Sequence, residues 1–147
     1  VTEPMGVVGL IAPDEAPLLA LVSLFAPAIT CGNTVVALAS EARPFPAVVL
    51  GEMLATSDLP GGVVNLLTGF RKEMVPTFAT HAHLRAIGGV ASAADRKVIE
   101  TGAADSVKRV RLLPAEVVTD WFDPARQGLY AIRDLVEFKT TWHPVGA

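Results

Sequence analysis

The chain has 147 residues, of which 51% are hydrophobic and 18% are charged, and its formal net charge is −3. This length suits one domain with a buried core and is too short for two domains of ordinary size. Basic residues cluster only at Lys108–Arg111, which we interpret as the solvated face of a strand, so the composition argues against nucleic-acid binding.

The first two thirds of the chain alternates short apolar runs with segments of helical length. The runs are continuous and rich in β-branched residues, which is typical of strands buried on both faces of a parallel sheet. We predict strands over Val7–Ala12, Thr34–Ala39, Val63–Leu67 and Leu84–Ile87, and helices over Pro17–Cys31, Pro46–Ser57, Glu73–His81 and Ala91–Ala103, the last opening near Ser92. This order and spacing predict an α/β fold with a parallel sheet and right-handed crossovers.

The last third has a different pattern. Val107–Leu113 alternates basic and apolar residues as a half-exposed strand does, Val117–Phe122 precedes a turn at Asp123-Pro124, and Val136–Trp142 alternates again. Two-faced strands at the end of a parallel unit predict a small antiparallel β-flap. Its exposed edges would favour pairing with another chain.

The remaining composition bears on compartment and context. The single cysteine, Cys31, excludes an internal disulfide, argues against structural zinc and is typical of a cytoplasmic protein. The apolar stretch from Ala16 to Val36 is interrupted by prolines and Gly32-Asn33, so we interpret it as a buried helix and strand, not a membrane span. A start at Val1 without a basic segment indicates no signal peptide, and we expect a piece of a longer protein. The high apolar content predicts contact with a partner subunit or domain.

Four motifs, in order and with natural spacing, carry a family resemblance. They are EPMGVVGLIAP, APAITCGNTVVALASEARPFPA, LPGGVVNLLTG and the segment from His81 to Ile87. Together they resemble the cofactor domain of the aldehyde dehydrogenase superfamily from Glu3 to about Leu112, and the closest resemblance is to the noncatalytic C-terminal module of aldehyde dehydrogenase family 16. LVEFKTTW, from Leu135 to Trp142, is similar to the family's C-terminal oligomerisation strand. The resemblance implies a Rossmann-like parallel sheet flanked by helices, a protruding β-flap, and dimers or larger assemblies.

The positions that carry chemistry in this family differ here. Glu15 stands where the resemblance implies the oxyanion-stabilising asparagine, and an ionised carboxylate there would repel an oxyanion. Leu113 stands at the general-base position. The domain that carries the nucleophilic cysteine is missing, and Cys31, at the end of an apolar helix, cannot replace that cysteine. We therefore predict no catalytic residues and an inactive chain, within a parent protein that is an NAD(P)-dependent aldehyde dehydrogenase.

The nucleotide-binding positions differ as well. The family's adenosine-side lysine is Leu38, although its ribose-binding glutamate persists as Glu41. A usual glycine is Arg71, the turn that opens a helix toward the pyrophosphate is Gly88–Ala91, and the following glycine is Asp95, which would oppose an anion at that helix. We expect no bound cofactor. The alternative is a residual NAD site that includes Glu41.

Three further sets of residues leave alternatives open. Asp14 and Glu15 are an acid–base pair or a solvated loop with a helix-capping or dipole-favouring role just ahead of Pro17. His81 and His83 are metal ligands or surface residues, and we expect no metal because no third ligand is apparent. The aromatic residues of the tail form an interaction surface or ordinary core; they are Trp121, Phe122, Phe138 and Trp142.

These observations predict a noncatalytic module of a longer aldehyde dehydrogenase. We divide the chain into a cofactor-type domain, 1–113, and a flap segment, 114–147, packed on it as one structural unit. The expected partners are the catalytic module of the same protein and further copies of the chain, with no nucleic acid and no membrane. We expect the contact between copies to involve Leu135, Val136, Phe138 and Trp142.

Overall fold

The computed structural model describes residues 1–117 and 119–143. In these ranges the strands are Thr2–Pro4 (β1), Val7–Ile11 (β2), Thr34–Leu38 (β3), Val64–Leu67 (β4), Leu84–Ala91 (β5), Arg109–Pro114 (β6) and Val136–Phe138 (β7). The α-helices are Pro17–Thr30 (α1), Phe45–Ala55 (α2), Arg71–Thr80 (α3), Ala93–Ala104 (α4) and Tyr130–Arg133 (α5), and a 3-10 helix spans Pro124–Gln127.

The central sheet is parallel throughout and has the strand order β4-β3-β2-β5-β6. Strand β2 is its middle strand, with Val8 opposite Val35 of β3 and Ala86 of β5. Each connection crosses over through a helix, as parallel pairing requires. The structure confirms the predicted α/β fold with a Rossmann-like parallel sheet flanked by helices.

Each face of this sheet is covered by part of the hydrophobic core, because successive side chains along a strand point to opposite faces. Val8 and Leu10 of β2 pack in the cluster that includes Leu21 and Phe25 of α1. Ile11 of the same strand faces the other way, into a cluster formed with α3 and α4. Since both faces are covered, the continuous apolar runs found in the sequence are the expected pattern for these strands.

A second, two-stranded antiparallel sheet joins the two ends of the chain. Thr2 lies opposite Phe138 and Pro4 opposite Val136, so β1 pairs with β7. This pair is the predicted small antiparallel element, but β1 was absent from the predicted strands. We call this two-stranded sheet, Thr2–Pro4 with Val136–Phe138, the flap.

The tail is less regular than its alternation indicated. The prediction of a strand over Val117–Phe122 is wrong for its described residues, which form turns and irregular backbone; Val118 lies outside the described residues. Strand β7 ends at Phe138, short of the predicted Trp142, and the helix α5 precedes it. The predicted flap segment also includes 144–147, which lie outside the described residues, and the division of the chain at 113 stays a prediction.

The basic stretch is a solvated face only in part. Arg111 is exposed, as expected. Lys108 is buried, with 8% of its surface exposed, and its ammonium donates a hydrogen bond to the Ser106 hydroxyl. Arg109 is half-buried and holds the tail against β6, because it donates to the carbonyls of Asp134 and Val136 at 3.1 and 2.8 Å. Among the described residues, no helix combines the length and apolar character needed to cross a lipid bilayer.

Candidate functional site

The loops that follow β2, β3, β4 and β5 meet at one edge of the parallel sheet, which we call the carboxyl edge. Parallel α/β folds place their ligands at this edge. The loop after β2 carries Asp14 and Glu15, and the loop after β3 carries Glu41. Strand β4 leads into Arg71 at the start of α3, and β5 leads into Ser92, the N-cap residue of α4. The carboxyl edge is therefore the candidate site.

Asp14 is fixed by hydrogen bonds within the chain. Its Oδ1 accepts hydrogen bonds from the Ser40 hydroxyl at 2.6 Å and from the Ala42 amide at 3.1 Å, and Arg71 Nη2 lies 3.6 Å away. Burial acts to raise the pKa of Asp14, but these hydrogen bonds and the guanidinium outweigh it and hold the pKa below its usual value. The alternative that the acids cap α1 is wrong, because its N-cap residue is Ala16 and no side chain caps it.

Glu41 and Arg71 contact each other at the start of α3. The carboxylate Oε2 of Glu41 accepts a hydrogen bond from the Arg71 backbone amide at 2.7 Å, where the helix dipole favours an anion. The Arg71 side chain lies against the end of β2, and its Nη2 donates to the Ala12 carbonyl at 2.7 Å. Within the described part of the chain, the buried Nε of Arg71 has no hydrogen-bond partner. Arg71 thus fills the space where the sequence resemblance implies a glycine.

The N-terminus of α4 also contacts a carboxylate of the same chain. Glu116 Oε1 accepts a hydrogen bond from the Ala93 amide at 3.0 Å. Hydrogen bonds from its own backbone amide and from that of Ala93 lower the pKa of Glu116. Ser92 caps the same helix through a hydrogen bond from the Asp95 amide at 3.1 Å, and its hydroxyl donates to Asp95 Oδ2. The helix therefore opens at Ser92, as predicted, with two of the chain's own acids beside it.

The other residues that differ from those implied by the family resemblance are apolar or exposed. Leu38 and Val90 are buried in the core, and Leu113 at the end of β6 is half-buried and packs with Val90. Glu15 is exposed. A shallow depression between α3 and α4 is lined by Arg71, Lys72, Val75, Pro76, Asp95 and Val98.

The remaining candidate residues lie away from the carboxyl edge. Cys31 ends α1, where burial raises the pKa of its thiol, so little reactive thiolate forms at neutral pH. The imidazole rings of His81 and His83 lie 5.8 Å apart in the exposed loop between α3 and β5. Among the described residues, no three metal-ligating side chains come together.

The four tail aromatics singled out in the sequence do not form one group. Trp121 is core, with 7% of its surface exposed, and packs with Ala20 and Val90. Phe122, Phe138 and Trp142 are exposed. An interaction surface, if formed by the tail aromatics, would therefore exclude Trp121.

Sequence reasoning missed two of the groups that occupy this edge. Arg71 was noted only as the loss of a glycine, although a cation between two acidic loops is a signal for an ion pair. Glu116 follows β6 and gives no such signal, because its contact with Ala93 depends on how the chain leaves β6. Its role is visible only in the folded structure.

The strand order, the crossovers and this edge define a Rossmann-like α/β domain. Residues 1–114 match the model of the aldehyde dehydrogenase family. The chain is 38% identical over 111 residues to retinaldehyde dehydrogenase 3 of Homo sapiens and 40% identical over 110 residues to betaine aldehyde dehydrogenase of Hordeum vulgare. Each alignment covers 75% of this chain and 22% of the relative. The chain belongs to the aldehyde dehydrogenase family, and it spans about a fifth of the length of these curated relatives.

Solved structures agree with this assignment. The aldehyde dehydrogenase C of Pseudomonas syringae, in a complex with NAD+ and octanal, superposes with a TM-score of 0.72 at 35% identity, covering 76% of this chain and 23% of that one. PnpE in complex with nicotinamide adenine dinucleotide superposes with a TM-score of 0.73 at 29% identity, covering 77% and 23%. Since the family match ends at residue 114, the tail from 115 to 147 lies beyond it.

Proposed function

We propose that this chain is a noncatalytic module of a longer aldehyde dehydrogenase, and that it supports a catalytic module and the assembly of oligomers. One observation carries the noncatalytic part. At the carboxyl edge, carboxylates of the chain itself contact the groups that would receive an anionic ligand: Glu41 at the start of α3, Glu116 at the start of α4, and Asp14 beside Arg71. Helix N-termini bind phosphate through these same amides.

NAD, the cofactor that this family implies, does not fit these residues well. The carboxylate of Glu41, which would bind ribose hydroxyls, already accepts the Arg71 amide at 2.7 Å. A pyrophosphate at α4 would meet the negative charges of Glu116 and Asp95. Glu15 would oppose an oxyanion in the same region, since it is exposed and acidic.

Calorimetry and an activity assay test the noncatalytic proposal. We expect no heat of binding with millimolar NAD and no oxidation of an aldehyde by the 147-residue chain. A double variant, Arg71→Gly with Glu116→Gln, serves as the comparison because it removes the side chain that fills the edge and one acid at α4. Measurable NAD binding by the unsubstituted chain would contradict the proposal.

The assembly part of the proposal is supported by the flap. Within the described residues β1 and β7 pair only with each other, so each leaves its outer edge without a strand partner. Phe138 and Trp142 are 68% and 87% exposed, and large apolar side chains beside an open edge favour contact with another chain. Leu135 and Val136, also expected in this contact, are half-buried and buried within the chain, so they would support the edge from beneath.

Sedimentation of charged variants tests assembly. We expect Phe138→Glu with Trp142→Glu to lower the mass of the complex, because two carboxylates at an apolar contact are costly to bury. Phe122→Glu is the matched control, since Phe122 is 78% exposed but lies neither in the flap nor in the segment that follows it. An unchanged mass in the double variant, or an equal loss in the control, would refute the role of the flap.

Residual nucleotide binding is the competing function. The buried Nε–H of Arg71, without a partner in the described residues, is a donor that a phosphate oxygen would satisfy, and Lys72 lines the depression beside it. This alternative expects saturable heat with NAD that falls in Glu41→Ala. Absence of heat at millimolar NAD would eliminate it.

A further inference from the structure

A cavity lies between α1, the sheet and the tail, on the opposite side of the sheet from α3 and α4. Its volume is about 430 Å³, within the range of small-molecule sites. One wall is the length of α1 that faces the tail, and Gly88 lies on its floor. The other wall is formed by residues 121–135, which lie beyond the family match.

The cavity exists because of how the two core faces are covered. On the face that carries α1 and α2, the α-helices pack over β2 and β3, as the shared cluster of Leu10, Leu21 and Val35 shows. Strands β5 and β6 are covered there by the tail, which brings Trp121 against Val90 and Leu113. Gly88 has no side chain to fill the gap, and the tail residues opposite include Gly128 and Ala131.

The lining is apolar with a cationic group beside it. The large apolar side chains of the lining are Leu10, Leu19, Leu24, Leu113, Trp121, Ile132 and Leu135. The charged lining residues are Arg111, Arg126 and Asp134.

The charges of the lining do not cancel. The carboxylate of Asp134 is shared, with Arg111 Nε at 3.8 Å and Arg133 Nη2 at 3.9 Å. The guanidinium carbon of Arg126 lies over the Trp121 ring, 4.7 Å from its centroid, and Arg126 forms no ion pair within the described residues. A guanidinium without an ion-pair partner has N–H groups that can bind a carboxylate. An apolar cavity beside such a group suits a molecule with one negative charge and an apolar body.

We propose that this cavity binds a monocarboxylate with an apolar body, such as a medium-chain fatty acid. The body lies between α1 and the tail, in contact with the Trp121 ring and the leucine side chains. The carboxylate is held by Arg126. None of Asp14, Glu41, Arg71 and Glu116, whose contacts occupy the carboxyl edge, lines this cavity, so the proposal does not depend on whether the chain binds NAD.

Fluorescence titration with decanoate tests the site. The two tryptophans are Trp121 and Trp142, so Trp142→Phe leaves the cavity residue as the sole reporter. We expect a saturable change in Trp121 emission with decanoate, and a clearly weaker response to decanol and to decyltrimethylammonium, which lack the negative charge. No saturable change with millimolar decanoate, or an equal affinity for decyltrimethylammonium, would overturn the proposal.

Matched arginine variants locate the carboxylate. We expect Arg126→Gln to weaken decanoate binding about tenfold, as for the loss of a charge-assisted hydrogen bond, without changing the response to decanol. Arg133→Gln is the control, because Arg133 stacks on Tyr130 at the same 4.7 Å but does not line the cavity. Equal weakening by the two variants would refute the assignment. Ala131→Phe, which fills the cavity without altering charge, is expected to reduce binding of both decanoate and decanol.

Discussion

Gly89 is the residue at which a side chain is least tolerated. Its φ is +115°, and a Cβ added there would lie 2.1 Å from the carbonyl oxygen of Ile11 in the neighbouring strand. We expect Gly89→Ala to lower the free energy of unfolding by about 3 kcal/mol or more, through backbone strain and displacement of β2. Chemical denaturation measures this. In Gly61→Ala the added Cβ meets nothing within 4 Å, so a similar loss there would contradict the explanation.

The lowered pKa of Asp14 predicts that the stability of the fold depends on pH. Its pKa in the folded chain is below its ordinary value, so its contribution is present above the unfolded-state pKa and is lost as pH falls through the folded-state pKa. We therefore expect the midpoint temperature of thermal unfolding to decrease as the pH is lowered below about 4. In Asp14→Asn this decrease should be less steep. Thermal unfolding between neutral and acid pH measures this. Glu15 is exposed in the same loop. If Glu15→Gln changed the slope of the thermal midpoint against pH as much as Asp14→Asn, the role of Asp14 would be contradicted.

Part of the candidate site follows from local sequence and part does not. Ser92 as the opening of α4 was predictable, because an N-cap serine bonds an amide only three residues away. The contact of Glu41 with α3 joins residues 30 positions apart, and that of Glu116 with α4 joins residues 23 apart. Sequence spacing does not report such pairs, since they depend on which loops the sheet order brings together.

Arg109 links β6, the tail and the flap. Its guanidinium donates to the carbonyls of Asp134 and Val136 and lies 3.3 Å from the carboxylate of Glu137. We expect Arg109→Leu to raise hydrogen exchange at the amides of β7 by about tenfold, because unsatisfied carbonyls favour local opening. The amides of the parallel sheet should stay as protected from hydrogen exchange as in the unsubstituted chain. Arg111→Leu, which loses one longer ion pair at 3.8 Å, is the control, and equal exposure of β7 in both would count against the link.

The elements divide into those that a sequence pattern can identify and those that it cannot. Continuous apolar runs identified β2 to β5 because these strands are covered on both faces. The prediction of a strand failed at Val117–Phe122, because Trp121 enters the core from irregular backbone. The strand β1 consists of three exposed residues, and only its pairing with β7 makes it a strand.

Asn33 connects parts of the molecule that are distant in sequence. It is 2% exposed; its side chain accepts the Gly6 amide at 3.0 Å and donates to the carbonyls of Ala28 and Leu135 at 3.1 and 2.9 Å. We expect Asn33→Ala to lower the free energy of unfolding by about 2–3 kcal/mol, since these groups lose their partner in the interior.

The control for this prediction is Asn65→Ala. Asn65 donates to the carbonyls of Val35 and Gly62 but does not contact the tail. Chemical denaturation compares the two variants, and hydrogen exchange reports the tail. Exchange at the amides of β7 should rise in Asn33→Ala only. Protection that falls equally in both variants would show that Asn33 does not hold the tail.

The network at the carboxyl edge has a consequence for how this chain can change over evolutionary time. Replacing Arg71 by glycine removes the cation beside Asp14 and the donor to the Ala12 carbonyl. Replacing Asp14 first leaves the half-buried Arg71 without its carboxylate partner. The contributions of residues that share partners to stability are not additive. Replacing Arg71 by glycine, or replacing Asp14, therefore lowers stability unless the other residue has already been replaced. The arrangement is therefore entrenched: its residues constrain one another's replacement.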